Sequence, residues 1–178
     1  LDASWGAGLY MAIHDGLRFG PDIVYTYGPL GFLFSPVLWF DGLAVVSFLY
    51  AVAIWVALAT ALVWSIRRNL GAIAAVLIAF VVLALFTAVE AALAISVIWA
   101  YAVLVPDRPR WALEALVVGG AIFAAIEILI KLSTGPVILA VMGLALIGAR
   151  ARLWRIGLFA GVFAVATVVL WLISGGSI

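Results

Sequence analysis

Ionisable side chains that could take part in catalysis or binding lie in two parts of this 178-residue chain. The first forty residues contain Asp2, His14 and Arg18, and a later segment contains Glu127 and Lys131. A carboxylate can act as a general base that activates a hydroxyl, and a cation can bind an anion. The sequence therefore offers a candidate base near its start and a candidate anion-binding residue more than a hundred residues later.

Asp2 has two interpretations. It precedes the first amphipathic turn, where a carboxylate accepts hydrogen bonds from free backbone N–H groups and stabilises a helix by about 1 kcal/mol. Spacing alone favours this capping role. The functional alternative is a general base at a water–lipid boundary that takes the proton of an acceptor hydroxyl.

Lys131 is the only lysine in the chain and follows Glu127 by four residues. On a helix this spacing allows an ion pair, which is the simpler interpretation. Alternatively, Lys131 stands just before a new helix that begins near Pro136, and a cation beside a helix N-terminus forms an anion site. At a membrane surface that anion would be a lipid phosphate. Glu127 lies inside an apolar run, where an ionisable residue is a functional candidate by default.

Other polar residues of the first forty also have alternative roles. We expect His14 to be a surface residue. Arg18 either contacts the same phosphate as Lys131 or lies among lipid headgroups. Tyr25 and Tyr27, beside a Gly-Pro turn, are interfacial anchors or line a groove for a sugar or a lipid.

The composition places these residues in a membrane protein. The chain is 69% hydrophobic, has a mean hydropathy of +1.38 and is only 10% charged, whereas a soluble domain carries about 25% charged residues. We therefore expect the bilayer to be its solvent. The net charge of +1 gives no indication of nucleic-acid binding, and the absence of Cys together with a single His excludes Cys-based metal sites and His clusters. Because the chain begins with Leu rather than Met, we expect it to be part of a longer chain.

Apolar runs separated by polar breaks predict an all-α, polytopic transmembrane bundle of about six spans over residues 41–178. A transmembrane helix needs roughly 20 predominantly apolar residues. The predicted spans are 43–66, two short spans within 70–105 that turn near 87–90, 111–130, one that begins near 136 and ends before 150, and 156–174. Pro and charged residues in "PDRPR" and "KLSTGP" mark two of the breaks.

Basic residues orient these spans. Seven arginines fall in alternate breaks, on one side: Arg67, Arg68, Arg108, Arg110, Arg150, Arg152 and Arg155. Arg18 and Lys131 fall on the other side. The positive-inside rule then places residues 1–40 and the Lys131 loop outside the cell. The Ala-, Val-, Leu- and Arg-rich composition is compatible with the plasma (inner) membrane of a bacterium.

Residues 1–40 are predicted to form an extracytoplasmic loop with two interfacial helices. "SWGAGLYMAIHDG" places Trp5, Leu9 and Ala12 on one helical face, and Gly16 is suited to end that helix. The segment is too short and too mixed to span, so we expect it to lie along the outer surface. In "GPLGFLF", Pro29 stands where a second short helix would begin.

The motifs "LDASW", "GLRFGPDIVYTYGPLGFL" and "IKLSTGP" together resemble the GT-C superfamily of polytopic membrane glycosyltransferases, which use polyprenyl-phosphate sugars. In that superfamily the first outside loop carries the catalytic Asp and two short helices along the membrane, the second starting at a Pro-Leu turn. Asp2 stands at the position of the acid, and "YGPL", residues 27–30, at the turn. Lys131 stands where a later loop often supplies a basic residue for the donor's phosphate.

The resemblance implies an inverting enzyme with Asp2 as base and Lys131, assisted by Arg18, as phosphate contact. The implied substrate groove contains Tyr25, Tyr27, Pro29, His14 and Glu127. The implied partners are membrane lipid, a polyprenyl-phosphate sugar donor and a glycan, lipid or protein acceptor. The second acid that is frequent in the superfamily is missing, because Ala3 and Ser4 follow Asp2. No metal ligand is therefore assigned, and a divalent cation stays open as the cofactor.

The alternative is a non-catalytic polytopic membrane protein, either a transporter or a scaffold subunit with the same helix arrangement. A transporter would place broken helices or polar residues near the middle of the bilayer. Here Thr60, Ser96 and the pair Gly119-Gly120 are the few candidates, and all three also suit helix packing. Because the polar residues gather at one face instead, the sequence favours an interfacial enzyme over a conduit.

Overall fold

The computed structural model describes residues 3–23, 26–34, 36–37, 40–106 and 109–174. Within these residues the chain is all-α, as predicted, with seven α-helices and one short 3₁₀ helix. They are α1 (Ala3–His14), the 3₁₀ helix (Gly31–Phe34), α2 (Asp41–Leu70), α3 (Ala72–Leu85), α4 (Ala88–Leu104), α5 (Arg110–Ile130), α6 (Thr134–Gly148) and α7 (Leu153–Ile173). The predicted roles of Asp2, Tyr25 and Arg108 fall outside the described residues.

Three helices are long and apolar enough to cross a membrane. α2 has 30 residues, and α5 and α7 have 21 each, with hydropathies of 2.3, 2.2 and 2.5. These three helices fit a transmembrane protein. α3, α4 and α6 have 14, 17 and 15 residues and are therefore about 21 to 26 Å long, somewhat less than the roughly 30 Å of a hydrocarbon core. The count of six spans stays a prediction.

The break between α3 and α4 lies at residues 86–87, slightly before the predicted turn at 87–90. The backbone N–H of Thr87 donates to Glu90 Oε2 at 2.6 Å, and the two residues form a capping box at the start of α4. Such a box satisfies backbone donors that a helix leaves free at its N-terminus. Glu90 is thus a helix cap in the first turn of α4.

α5 packs mainly on α7 and α6, α4 packs on α6 and α2, and α3 packs on α2. Leu58, Ile95, Val117 and Met142 are among the fully buried core side chains. Outward-facing apolar side chains are common on α3 and α7. In α7, only 6% of the most apolar 18-residue stretch is buried inside the bundle. Such large exposed apolar surfaces suit a lipid environment.

Gly135 permits a close approach between α5 and α6. A Cβ atom at Gly135 would lie 2.5 Å from the Cα and 2.7 Å from the backbone nitrogen of Ile128. Because backbone atoms cannot move aside as a flexible side chain can, the start of α6 sits against α5 only when this position has no side chain. The contact fixes the start of α6 just after Lys131.

We expect Gly135→Ala to lower the free energy of unfolding by about 1–3 kcal/mol, the usual cost of overpacking. Gly143→Ala is the matched control in the same helix, because a Cβ there meets no atom within 4 Å. The control should be neutral or stabilising by up to about 1 kcal/mol, since Ala favours helix over Gly. Denaturant unfolding in detergent, followed by circular dichroism, measures both. Equal effects of the two substitutions would contradict the proposed close contact.

Candidate functional site

The loop that contains "YGPL" is hydrogen-bonded to the C-terminal end of α5. Tyr27 and Lys131 form an isolated antiparallel β-bridge. Three backbone hydrogen bonds join the segments: Leu132 N–H to Thr26 O at 3.2 Å, Gly28 N–H to Ile130 O at 3.2 Å, and Leu30 N–H to Leu129 O at 3.0 Å. The last carbonyls of a helix have no partner within it, so the loop supplies donors that α5 itself lacks. We call residues 26–30 and 129–132 the loop–α5 junction.

Gly28 and Pro29 explain why this sequence can form the junction. A Cβ atom at Gly28 would overlap the carbonyl oxygen of Leu129 and lie 3.0 Å from its carbonyl carbon. Pro29 is fully buried and lies between the two donating residues. Because proline has no backbone N–H, it can be buried there without leaving a donor unsatisfied.

Aromatic rings surround Tyr27 at the junction. Tyr27 is only 8% exposed, and its ring stacks on that of Trp5 with 4.6 Å between the centroids. Phe34 packs edge-on at 5.4 Å. The Nζ atom of Lys131 lies 5.5 Å from the centroid of the Tyr27 ring, within the range of a cation–π interaction. Lys131 is thus held beside the loop by both its backbone and its side chain.

A cavity of about 130 Å³ adjoins the junction; we call it the Lys131 cavity. The polar side chains in its lining are those of Tyr50, Glu127, Lys131 and Thr134. Its apolar lining comes from the loop, α2, α4 and α5 and consists of Leu33, Phe34, Pro36, Ala51, Ile54, Trp55, Ala88, Val89 and Ile130. The structure therefore brings together Glu127 and Lys131 from the predicted site, with the Tyr27 ring next to them.

The carboxylate of Glu127 is bonded to α2. Glu127 is 5% exposed, and the hydroxyl of Tyr50 donates a hydrogen bond to its Oε1. The predicted Glu127–Lys131 ion pair is not among the three pairs formed within the described residues, which are His14–Asp15, Arg18–Asp22 and Arg155–Glu114. The physical reason is that α5 ends at Ile130. Lys131 is extended, with φ −146° and ψ 118°, so it has left the helix face that the four-residue spacing assumes.

His14 and Arg18 do not contribute to the lining of the Lys131 cavity in the described structure. The ring of His14 stacks on Phe40 with 4.0 Å between centroids, and its Nδ1 lies 3.1 Å from Asp15 Oδ1. This agrees with its interpretation as a surface residue.

Arg18 belongs to a surface turn closed by Asp22. Its backbone N–H and its Nε both donate to Asp22 Oδ2, at 3.0 and 3.3 Å. The backbone hydrogen bond, followed by the guanidinium, holds the pKa of the Asp22 carboxyl below its ordinary value. In this arrangement the guanidinium of Arg18 is bonded to a neighbouring carboxylate, and its predicted role as a phosphate contact stays a prediction.

Sequence reasoning missed three hydroxyl residues that join separate elements of the bundle. Besides Tyr50, these are Tyr10 and Ser47, whose hydroxyl oxygens lie 2.6 Å apart in the buried interface between α1 and α2. The backbone N–H of Val37 also donates to the Tyr10 hydroxyl at 3.2 Å. The available signal was the spacing of Ser47 and Tyr50, two polar residues three positions apart in an apolar helix, which therefore share a face.

The described residues contain no group of three or more His, Cys, Asp or Glu that could hold a metal ion. The fold and the site together define an all-α bundle with helices of membrane-spanning length and a small, mainly apolar cavity with four polar side chains where its N-terminal loop meets the helices. No protein-family model matches the chain, and no curated protein and no solved structure matches it. Its function must therefore be argued from the site and from the short motifs of the sequence.

We expect Tyr50→Phe to destabilise the bundle by about 1–3 kcal/mol, the cost of leaving a buried acceptor unpaired. Glu127→Gln should cost less, because an amide oxygen can still accept the Tyr50 hydrogen bond. The control is Tyr101→Phe, which removes the same atom from a side chain that is 45% exposed and should change stability by at most about 0.5 kcal/mol. Thermal unfolding in detergent measures all three. If Tyr50→Phe were as mild as Tyr101→Phe, the hydrogen bond would not stabilise the bundle.

Proposed function

We propose that this protein acts in membrane glycosyl transfer, moving a sugar from a polyprenyl-phosphate donor to an acceptor hydroxyl at the outer face of the membrane. The observation that carries the proposal is the loop–α5 junction. It joins "YGPL" directly to "IKL", two of the segments on which the resemblance to GT-C glycosyltransferases rests, although a hundred residues separate them in the chain. A chance match between two short motifs has no reason to produce contact between them.

The donor's phosphate is assigned to Lys131. Its ammonium group lies beside the Tyr27 ring, and its backbone lies just ahead of α6, which begins at Thr134. The first turn of a helix carries free N–H groups and a partial positive charge. Thr134 also lines the cavity and is 3% exposed, so a hydroxyl stands close to the cation. Together these groups suit a phosphate that gains charge as it leaves.

The proposed base, Asp2, comes three residues before Trp5. Because Trp5 stacks on Tyr27, and Tyr27 faces Lys131, the N-terminal part of α1 lies at the same junction as the proposed phosphate contact. This proximity supports a site in which an acid near the start of α1 and a cation after α5 act on one substrate.

The proposed reaction inverts the configuration of the transferred sugar. The acceptor oxygen attacks the anomeric carbon and forms the new C–O bond, while the bond from that carbon to the phosphate oxygen breaks. The Asp2 carboxylate takes the proton of the hydroxyl, and the phosphate leaves with the electron pair and is stabilised by Lys131. A ligand pocket typically measures about 300–1,000 Å³, so the smaller Lys131 cavity would take only the phosphate of the donor, with the sugar outside it and the polyprenyl tail on the apolar helix surfaces.

Lys131→Met tests the phosphate contact, because it keeps an apolar stem and removes the charge. A hydrogen bond to a charged group is worth about 1.5–3 kcal/mol, so donor affinity should fall roughly 10- to 100-fold. Lys131→Arg, the matched control, should retain most of the affinity. Binding of a polyprenyl-phosphate sugar to the full-length protein in detergent is the measurement, and unfolding midpoints show whether the variants are folded. Equal donor affinity in Lys131→Met and wild type would refute this role.

Asp2→Asn tests the base. General-base catalysis contributes roughly 10²- to 10⁴-fold, so sugar transfer from a radiolabelled donor in membranes should fall by about that factor. Asp15→Asn, an acid at the other end of α1, is the control and should transfer at nearly the wild-type rate. If Asp2→Asn lowers only stability, by about 1 kcal/mol, Asp2 is a helix cap. If the wild-type protein also fails to bind the donor, the transporter or scaffold alternative accounts better for the chain.

A further inference from the structure

Another cavity, with a more polar lining, lies at the opposite end of α5. It measures about 280 Å³, and the polar part of its lining consists of Arg110, Glu114, Arg152, Trp154 and Arg155; we call it the arginine cavity. α5 runs over 21 residues from Arg110 to Ile130, so the arginine cavity and Lys131 are separated by about 30 Å at 1.5 Å per residue. The arginine cavity is therefore distinct from the site proposed for glycosyl transfer.

The arginine cavity has an excess of positive charge. Three guanidinium groups face it together with one carboxylate, that of Glu114. Glu114 Oε1 lies 3.8 Å from Arg155 Nη2, which is too long for a hydrogen bond. The carboxylate is itself 47% exposed, so solvent screens its attraction. Glu114 consequently neutralises the three arginines only in part.

Arg155 has a buried donor that the described residues do not satisfy. Its side chain is 16% exposed, and its Nε is fully buried with no hydrogen-bond acceptor in the described part of the chain. A buried polar group without a partner is costly, and such groups in folded proteins call for an explanation. The guanidinium of Arg155 is therefore not fully paired within the described residues.

Two helices begin at the arginine cavity. Arg110 is the first residue of α5, and Arg152 is the N-cap residue of α7; neither helix has a side-chain hydrogen bond at its N-cap. Helix N-termini carry partial positive charge and free N–H groups, and the guanidinium group of arginine can bind a phosphate through two parallel hydrogen bonds. Independent features of the cavity therefore favour the same kind of ligand.

Trp154 indicates the surroundings of that ligand. Its side chain is 49% exposed, and the guanidinium of Arg155 lies 5.1 Å from its ring centroid. Tryptophan is enriched at the level of lipid headgroups. A phosphate held here would lie at the edge of the bundle beside an interfacial aromatic ring.

We propose that the arginine cavity is a binding site for a phosphate group, carried by an anionic phospholipid or present as free phosphate. The site does not depend on glycosyl transfer, because it shares none of the residues of the Lys131 cavity. Arg110, Arg152 and Arg155 contribute positive charge to the cavity, and Arg110 and Arg152 do so at the two helix starts.

The test uses the full-length protein in neutral detergent with phosphatidylglycerol, phosphatidylcholine or inorganic phosphate as the probe. The double variant Arg152→Gln/Arg155→Gln should bind phosphatidylglycerol at least about tenfold more weakly than wild type, as counted by native mass spectrometry over a lipid titration. The control Arg67→Gln/Arg68→Gln removes the same charge from the C-terminal end of α2 and should bind nearly as wild type does. Arg152→Gln alone, at an exposed position, provides a milder variant if the double variant does not fold.

The outcomes separate the sources of the phosphate. Loss of phosphatidylglycerol binding in the arginine-cavity variants, with phosphatidylcholine binding unchanged, supports a lipid site. Competition by inorganic phosphate that depends on Arg152 and Arg155 supports a site for free phosphate. If wild type and both double variants bind phosphatidylglycerol equally and inorganic phosphate does not compete, the lipid binds the protein non-specifically and the proposal is wrong. An equal loss in Arg67→Gln/Arg68→Gln would overturn it as well.

Discussion

The backbone hydrogen bonds between the N-terminal loop and the end of α5 determine the rest of the proposed site. An apolar helix that ends inside a bundle must have its last carbonyl groups satisfied, because few water molecules are available there. In this protein the carbonyl of Leu129 accepts from the backbone N–H of Leu30, and that of Ile130 accepts from Gly28. The requirement of α5 for donors thus fixes the position of the loop, and with it Tyr27.

Lys131 and Glu127 acquire separate surroundings as a result. Lys131 leaves the helix, pairs with the backbone of the loop and turns its ammonium group to the ring of Tyr27. Glu127 remains one turn earlier within α5 and is held by Tyr50 of α2. Glu127 and Lys131 both line the Lys131 cavity, but they do not form one of the ion pairs found within the described residues. This arrangement is the electrostatic basis of the assignment of phosphate to Lys131.

The two ends of α5 have opposite architectures. At its C-terminus the carbonyl groups are covered by a loop with closely packed aromatic rings, and a single lysine stands beside the small cavity. At its N-terminus arginines from α5 and α7 line an open cavity. The buried Nε of one of them, Arg155, lacks an acceptor in the described structure. A helix long enough to cross a membrane therefore connects two regions of positive charge, for which we propose different roles.

The sequence by itself determined the all-α class and the approximate positions of the long helices, since hydropathy and the Pro, Gly and charged breaks are local properties of the chain. The predicted span 111–130 and the observed helix Arg110–Ile130 differ by one residue, and Pro136 lies in the first turn of α6 as expected. The tertiary structure decided the partners of the polar groups. Glu127 is bonded to Tyr50, which is 77 positions away, and the four-residue pairing with Lys131 fails because that residue is already extended. Helical periodicity predicts neighbours only within a helix, so no local pattern could reveal either fact.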